Sequence, residues 1–354
     1  MTLTSVPFIS LAVFFAVFAA VFAGSGVLVD VLRRRQVLDH PNERSSHLVP
    51  TPRGGGIAVI GVLLAVWASI TFLAPEIFAH PSSVPFSAVA LVLFCALGLA
   101  VVSWLDDLKG LTPLLRLVLQ FASVTVGLDA LPPGPNDETL VFQGLLPVVA
   151  DHVVAALVWV WFLNLFNFMD GIDGITGVEA AAVGGGVFLV ALFAGDAQDW
   201  ALFGLSAAAA ACGFLCWNWS PAKLFIGDVG SVPLGFLLGW LLLGLATMGY
   251  WAPALILPLY YLADATLTLG LRLLRGEKVW QAHSQHFYQR AVQAGASHGH
   301  VCLLIGVVNL GLILLALTAV SGLSPNAPLL CIITAGLMVA GLMGRLKNPG
   351  RALR

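Results

Sequence analysis

Charge is what this chain is short of: Asp, Glu, Lys and Arg make up 10% of its 354 residues, against about 25% in ordinary globular proteins. So little charge cannot clothe a water-exposed surface, which excludes a soluble protein of this length. A positive excess is missing too, the formal net charge being −2, so a nucleic-acid partner held by bulk electrostatics is excluded. Cysteine is sparse. Cys95, Cys212, Cys216, Cys302 and Cys331 all fall in apolar runs, without a CxxC pair, and imply neither a disulfide framework nor a zinc site.

What the chain has is apolar length. Hydrophobic residues make up 59% and the mean hydropathy is +0.95. A helix crosses the hydrocarbon with about 20 apolar residues. Runs of that kind lie near 7–31, 56–74, 85–105, 114–131, 148–167, 176–195, 200–218, 232–249, 251–271, 300–320 and 328–344. The expected fold is therefore an all-α polytopic membrane protein of eleven transmembrane helices, forming a single domain over 1–354. No basic residue precedes the first run and Arg33, Arg34 and Arg35 follow it, which marks a retained helix rather than a cleaved signal. Gly184, Gly185 and Gly186 lie inside a span, where small residues permit close helix packing.

Orientation follows from the basic residues, which stay in cytoplasmic loops. With the N-terminus outside and the C-terminus cytoplasmic, all 16 Lys and Arg fall inside, in loops 32–55, 106–113, 168–175, 219–231 and 272–299, in the first turn of the fourth run and in the tail. Glu76, Asp137, Glu138, Asp151, Asp196 and Asp199 fall outside.

Three inside loops carry acids where helices meet the cytoplasm: Asp106 and Asp107 in WLDDLKG, Asp170 and Asp173 in NLFNFMDGIDG, and Asp228 in KLFIGDVGS. Carboxylates at membrane depth are costly and mark sites, and converging carboxylates repel unless a cation sits among them. Oxygen-only ligands suit Mg²⁺, which takes one or two carboxylates and leaves its other positions to water and phosphate. Asn164, Asn167, Asp170 and Asp173 recur every three residues and would form a polar stripe if the helix persists. The segment DHPNERSSHLVPTPRGGG brings His47, Arg44 and Arg53, and HSQHFYQR brings His283, His286 and Arg290. Hydrogen bonds from His and Arg to phosphate oxygens are their natural use.

The set HLVPTPRGGG, WLDDLKG, NLFNFMDGID, FIGDVGS and HSQHFYQR resembles the polyprenyl-phosphate N-acetylhexosamine-1-phosphate transferases, the polytopic family that includes the peptidoglycan MraY and the enterobacterial WecA enzymes. The likeness touches all five inside loops, in order. It implies transfer of a sugar-1-phosphate from a UDP-sugar donor to undecaprenyl phosphate at the cytoplasmic face of a bacterial inner membrane, with release of UMP. Mg²⁺ is the implied cofactor, Mn²⁺ its substitute, and a homodimer the implied assembly. The likeness marks Asp106 and Asp107 as an essential acidic pair and Asp228 as the metal position, to which the expected chemistry adds Asp107; Asp170 and Asp173 complete the expected catalytic acids. It places Asn167, Asp170 and Asp173 around the nucleotide, Phe225 on uracil, and His283, His286 and Arg290 at the diphosphate and sugar, and the residue chemistry adds His47, Arg53 and Asn164 as ligands of the nucleotide sugar and its phosphates. Where the peptidoglycan enzyme has adjacent histidines, this chain reads His283, Ser284, Gln285, His286. That departure points away from a muramoyl-pentapeptide donor and toward the WbpL-like branch that starts O-antigen or other surface polysaccharides.

A lipid phosphate monoester, with its second pKa near 6, is largely dianionic at neutral pH. Little base catalysis is needed, and alignment with charge neutralisation carries the rate. Direct attack is expected, with Asp106 orienting or deprotonating the nucleophile; a route through an aspartyl phosphoenzyme is the alternative. Two other classes fit less well. An intramembrane aspartyl protease lacks its GxGD pattern here, and an ion-coupled transporter would show repeated halves and deep charges, whereas Asp264 alone looks deep in a later span.

Overall fold

The computed structural model describes residues 5–41, 49–78, 84–134, 138–195, 198–278 and 283–348. Thirteen helices follow one another among them: α1 (Ser5–Arg34), α2 (Gly56–Phe78), α3 (Phe86–Lys109), α4 (Pro113–Leu128), α5 (Val148–Phe168), α6 (Ile175–Ala194), α7 (Gln198–Asn218), α8 (Asp228–Thr247), α9 (Trp251–Ile256), α10 (Leu259–Leu274), α11 (Phe287–Gln293), α12 (His298–Val320) and α13 (Ala327–Lys347). Eight of them are long and apolar enough to cross a membrane, fewer than the eleven runs. The runs at 56–74 and 114–131 lie on shorter apolar helices, Gly56–Phe72 and Pro113–Leu128. The run at 251–271 is broken into α9 and α10 at Leu257 and Pro258, because proline supplies no N–H to continue a helix.

The outer face is apolar, with Phe8, Phe72, Phe94, Leu310 and Leu337 exposed on it, as a lipid solvent allows, while acids such as Asp151, Asp173 and Asp264 are buried within an otherwise apolar core. At the centre stands α8, in which every residue after Asp228 is buried. It packs on α3 and α5 foremost and also on α2, α6 and α9. Its C-terminal half is clamped by an aromatic cluster: Trp240 lies 4.4 Å from Trp200 and 5.7 Å from Trp67 between ring centroids. Packing of α6 on α7 uses Gly184, where a Cβ would stand 2.7 Å from the Ala208 backbone nitrogen. Gly186 makes room instead for Leu257, and Gly185 meets no neighbour.

A two-residue hairpin, β1 (Leu38–Asp39) against β2 (Thr51–Pro52), pairs Leu38 with Pro52 and Asp39 with Thr51. Immediately after β2, Arg53 forms a parallel bridge with Phe225. This short ladder ties the segment before α2 to the loop before α8, and it positions the site.

Candidate active site

The apolar run of the third span stops short of its first acid, but α3 continues to Lys109. Asp106 and Asp107 therefore occupy its last turn rather than a loop. The C-terminal end of a helix carries partial negative charge, so two carboxylates there call for cations, and two arginines answer. Arg116, in the first turn of α4, places Nη1 2.7 Å from Asp106 Oδ2, and the Leu111 N–H donates to Asp106 Oδ1 at 2.6 Å. Arg53 Nη2 lies 2.8 Å from Asp107 Oδ1 and 2.7 Å from Asp228 Oδ1.

Asp228 reaches the same point from the opposite helix polarity. It is the first residue of α8, where the N–H groups of the first turn and the dipole favour a negative charge. The N-cap, Gly227, has φ 71°, a left-handed conformation in which glycine avoids the strain of a side chain. Asp107 Oδ2 also accepts the Val229 N–H at 3.4 Å. Because both carboxylates touch one guanidinium nitrogen, the acids of α3 and α8 converge on a single cation position. Burial works against the charge of Arg53, yet the carboxylates of Asp228 and Asp107 raise its pKa above the ordinary guanidinium value.

The backbone explains how Arg53 arrives there. Phe225 N–H donates to Pro52 O at 2.8 Å, and Phe225 O accepts from the N–H groups of Gly54 and Gly55 at 3.0 and 2.8 Å. Phe225 thus stands beside the cluster, half-buried. His47 and Arg44 lie outside the described residues.

The polar stripe expected from Asn164 to Asp173 does not form, because α5 ends at Phe168. Its members divide. Asn164 Nδ2 donates to Gln120 Oε1 at 2.8 Å, toward α4. Asn167 Oδ1 accepts from Ser231 Oγ on α8 at 2.5 Å. In the loop, Asp170 Oδ1 accepts from Thr176 Oγ1 at 2.6 Å. Burial pushes the Asp170 carboxyl up to about 6, against the opposing pull of the Thr176 hydroxyl and the Arg53 charge. Asp173 is engaged elsewhere: its Oδ2 lies 3.3 Å from His298 Nδ1 and accepts the Ala222 N–H at 3.1 Å. Burial tends to raise its pKa, but the hydrogen bond and charge of His298 prevail and hold it below the usual carboxylate range. The structure brings Asp107, Asp228 and Arg53 into contact; Asp173 links the loops before α6 and α8 to α12.

A cavity of about 510 Å³ opens beside the acids between α3, α4, α5 and α8. Asp106, Arg116, Asn164, Asn167 and Asp228 lie along it, and residues such as Leu99, Leu117, Phe121, Leu157 and Val160 make the rest of its wall apolar. Arg116 and Gln120 are the residues that sequence reasoning missed here. Their signal was present: the only strongly polar side chains of an apolar helix, four apart and so on one face.

The histidine segment packs next to this centre. His286 is buried with Nδ1 3.1 Å from Asp264 Oδ1. Arg290 Nε donates to the Gln285 carbonyl at 2.8 Å and its guanidinium lies 5.8 Å from the Phe287 ring centroid, so it braces its own turn. Burial above all pushes the His283 imidazole down to about 4. The Tyr288 hydroxyl abuts Gly171, where an added Cβ would stand 2.3 Å from it, and this contact locks α11 to the Asp170 loop.

Two carboxylates with no thiolate or imidazole at the shared point are a donor set that fits a hard divalent cation. Among the described residues no cluster of three or more His, Cys, Asp or Glu forms there. Water and substrate phosphate would fill the other positions, as is usual for Mg²⁺.

The sequence profile of Glycosyl transferase family 4 matches residues 89–246, which contain the acids of α3, α8 and the loop between α5 and α6. The decaprenyl-phosphate N-acetylglucosaminephosphotransferase of Mycolicibacterium smegmatis is 30% identical over 301 residues, covering 75% of this chain and 71% of that protein. Its namesake from Mycobacterium leprae is 28% identical over 361 residues, covering 86% of each chain. The phospho-N-acetylmuramoyl-pentapeptide-transferase of Streptococcus mutans is 27% identical over 249 residues, covering 68% of this chain and 71% of its own. A polytopic helical membrane protein with clustered acids at helix ends is thus placed in a known class. The chain belongs to glycosyl transferase family 4, the WecA/MraY-like polyprenyl-phosphate sugar-1-phosphate transferases.

Proposed function

We propose that the protein moves an N-acetylhexosamine-1-phosphate from a UDP-sugar to a polyprenyl phosphate, undecaprenyl phosphate in the first instance. UMP leaves, and the lipid-linked diphosphate sugar begins an O-antigen or another envelope polysaccharide. The observation that carries this reading is the meeting of Asp107, Asp228 and Arg53 beside a largely apolar cavity, which Asp228 itself lines. One substrate is a lipid and the other a charged nucleotide, and this junction offers each its own solvent. The names of the mycobacterial relatives, which specify N-acetylglucosamine phosphate, support the same sugar class.

The roles follow from position. The groove takes the first isoprene units and delivers the acceptor phosphate to Arg116 and Asp106. Arg53 holds the donor diphosphate, and Asp170 with Asn167, which also lines the groove, binds the nucleotide. Mg²⁺, held by Asp107 and Asp228, would neutralise the diphosphate when bound. Asp106, fixed by two hydrogen bonds, orients the attacking phosphate oxygen. That oxygen forms a bond to the sugar-side phosphorus while the bond to UMP breaks, the two oxygens lying in line. Eleven crossings, with the N-terminus outside and the active site at the cytoplasmic face of a bacterial inner membrane, complete the reading. The concentration of Lys and Arg in the loops beside the site supports that orientation.

Purified protein in detergent, given Mg²⁺, undecaprenyl phosphate and radiolabelled UDP-N-acetylglucosamine, should release UMP and label the lipid. Asp228→Asn should lower turnover by about 100-fold or more while the fold persists. UMP release without acceptor would instead favour the phosphoenzyme route. No product from any UDP-N-acetylhexosamine would end the proposal.

A further inference from the structure

Asp264, on α10, is fully buried and takes no part in the transfer as proposed. Its Oδ1 lies 3.1 Å from His286 Nδ1 and accepts from the Phe287 backbone N–H at 3.1 Å and from the Thr268 hydroxyl at 3.2 Å. Its Oδ2 accepts from the Tyr260 hydroxyl at 3.1 Å. A carboxylate that already accepts from one N–H and two hydroxyls has no proton left to give, so the hydrogen of the shared contact is assigned to His286 Nδ1.

The ring is fixed in other ways as well. It stacks on Tyr288 at 5.7 Å with the planes 10° apart, and His283 lies 4.8 Å away between centroids. The His286 backbone N–H donates to Gln289 Oε1 at 3.1 Å, which anchors the start of α11. Tyr288 in turn abuts Gly171 of the Asp170 loop. An imidazole with its plane set by a stacked ring and one nitrogen held by a carboxylate has a single working atom left, Nε2.

We propose that Asp264 is a positioning residue for the transfer: it fixes the tautomer and plane of His286 so that a bare Nε2 faces the sugar of the donor. The chemistry selects the sugar over the diphosphate. With the hydrogen on Nδ1, Nε2 of the neutral ring is an acceptor. A phosphate oxygen has no hydrogen to offer it, whereas a sugar hydroxyl or an acetamido N–H does. This revises the expectation that His286 donates to phosphate. The inference rests on the reading of the site as a sugar-1-phosphate transferase.

Three measurements test it on the full-length protein. In ¹⁵N-histidine spectra, the His286 signals, assigned by their loss in His286→Gln, should show a protonated Nδ1 and an unprotonated Nε2 in the wild type and the reverse in Asp264→Asn. In binding, Asp264→Asn should weaken UDP-N-acetylglucosamine about tenfold and leave UDP, which lacks the sugar, unchanged. In turnover, Asp264→Asn should cost about 10- to 100-fold in kcat, and adding it to His286→Gln should cost nothing more. A wild-type Nε2 that carries the proton, equal weakening of UDP and UDP-sugar, or multiplicative losses in the double variant would overturn it. If Asp264→Asn fails to fold, the wild-type spectrum against His286→Gln still decides the tautomer. The spectra need no turnover, so a protein inactive on every UDP-sugar would refute the transferase reading while the tautomer of His286 is still measured.

Discussion

Gly56 opens α2 and meets Gly230, in the first turn of α8, backbone to backbone. A Cβ on Gly56 would stand 2.1 Å from Gly230 Cα and 2.4 Å from its nitrogen. Carbon atoms in contact sit at about 3.5–4.0 Å, so Gly56→Ala must part the two helix ends by more than about 1 Å. The displacement falls on the acid–arginine cluster. Arg53 lies three residues before Gly56 and Asp228 two before Gly230, and their ion pair is 2.7 Å long. The Gly56 N–H bond to Ile226 O, 2.9 Å, is stretched as well. A misplacement of about 1 Å costs on the order of 100-fold in rate. Gly56→Ala is therefore expected to lower kcat about 100-fold. Gly61→Ala is the control: Gly61 lies on the same helix with nothing within 4 Å of its added Cβ, and it should stay near wild-type. UMP release at saturating donor and acceptor, with size-exclusion and thermal unfolding to confirm the fold, measures both. A folded Gly56→Ala with at least half of wild-type turnover would refute the claim that this contact sets the site.

Asp170 gives a pH prediction. Its folded-state pKa of about 6 is raised above the ordinary carboxylate value. The stability it contributes is complete below about pH 4 and is lost as pH rises through about 6. Asp170→Asn should thus raise the Tm relative to wild type at pH 8 and show a smaller advantage at pH 5; an advantage that grows on acidification would contradict the sign. Asp151 is buried and accepts the N–H groups of Val141 and Phe142 at 3.0 and 2.9 Å. Asp151→Ala orphans both and should destabilise by about 2–4 kcal/mol, read as a lowered Tm with KM for the donor unchanged. Leu117→Trp fills part of the cavity wall and should raise KM for the polyprenyl phosphate several-fold while sparing the UDP-sugar, in steady-state assays that vary each substrate.

The parts legible in the sequence were those that chemistry alone demands. Acids at the ends of separate helices on one side of the chain read as a cluster, and Asp107 and Asp228 do meet, at Arg53. The boundaries were less legible. Asp106 and Asp107 read as loop because charge ends an apolar run, yet backbone hydrogen bonding carries α3 through its last turn to Gly110. The stripe from Asn164 failed for the opposite reason: its period needs a helix, and α5 stops before Gly171 and Gly174 can be reached. The break between α9 and α10 was written in Pro258 but overridden by the apolar count around it. Hidden altogether was the Asp264–His286 pair, 22 residues apart, because long-range partners leave no spacing to read.

The burial of α8 bears on how the protein is made. A helix with protein against every residue after Asp228 has no face to rest on acyl chains, and its four glycines and short polar start give lipid little to hold. Its final seat exists only after α2, α3 and α5 have gathered around it. The Asp228 end of the helix should therefore be the last feature to mature during biogenesis, so that a partly assembled chain would lack the shared cation position altogether.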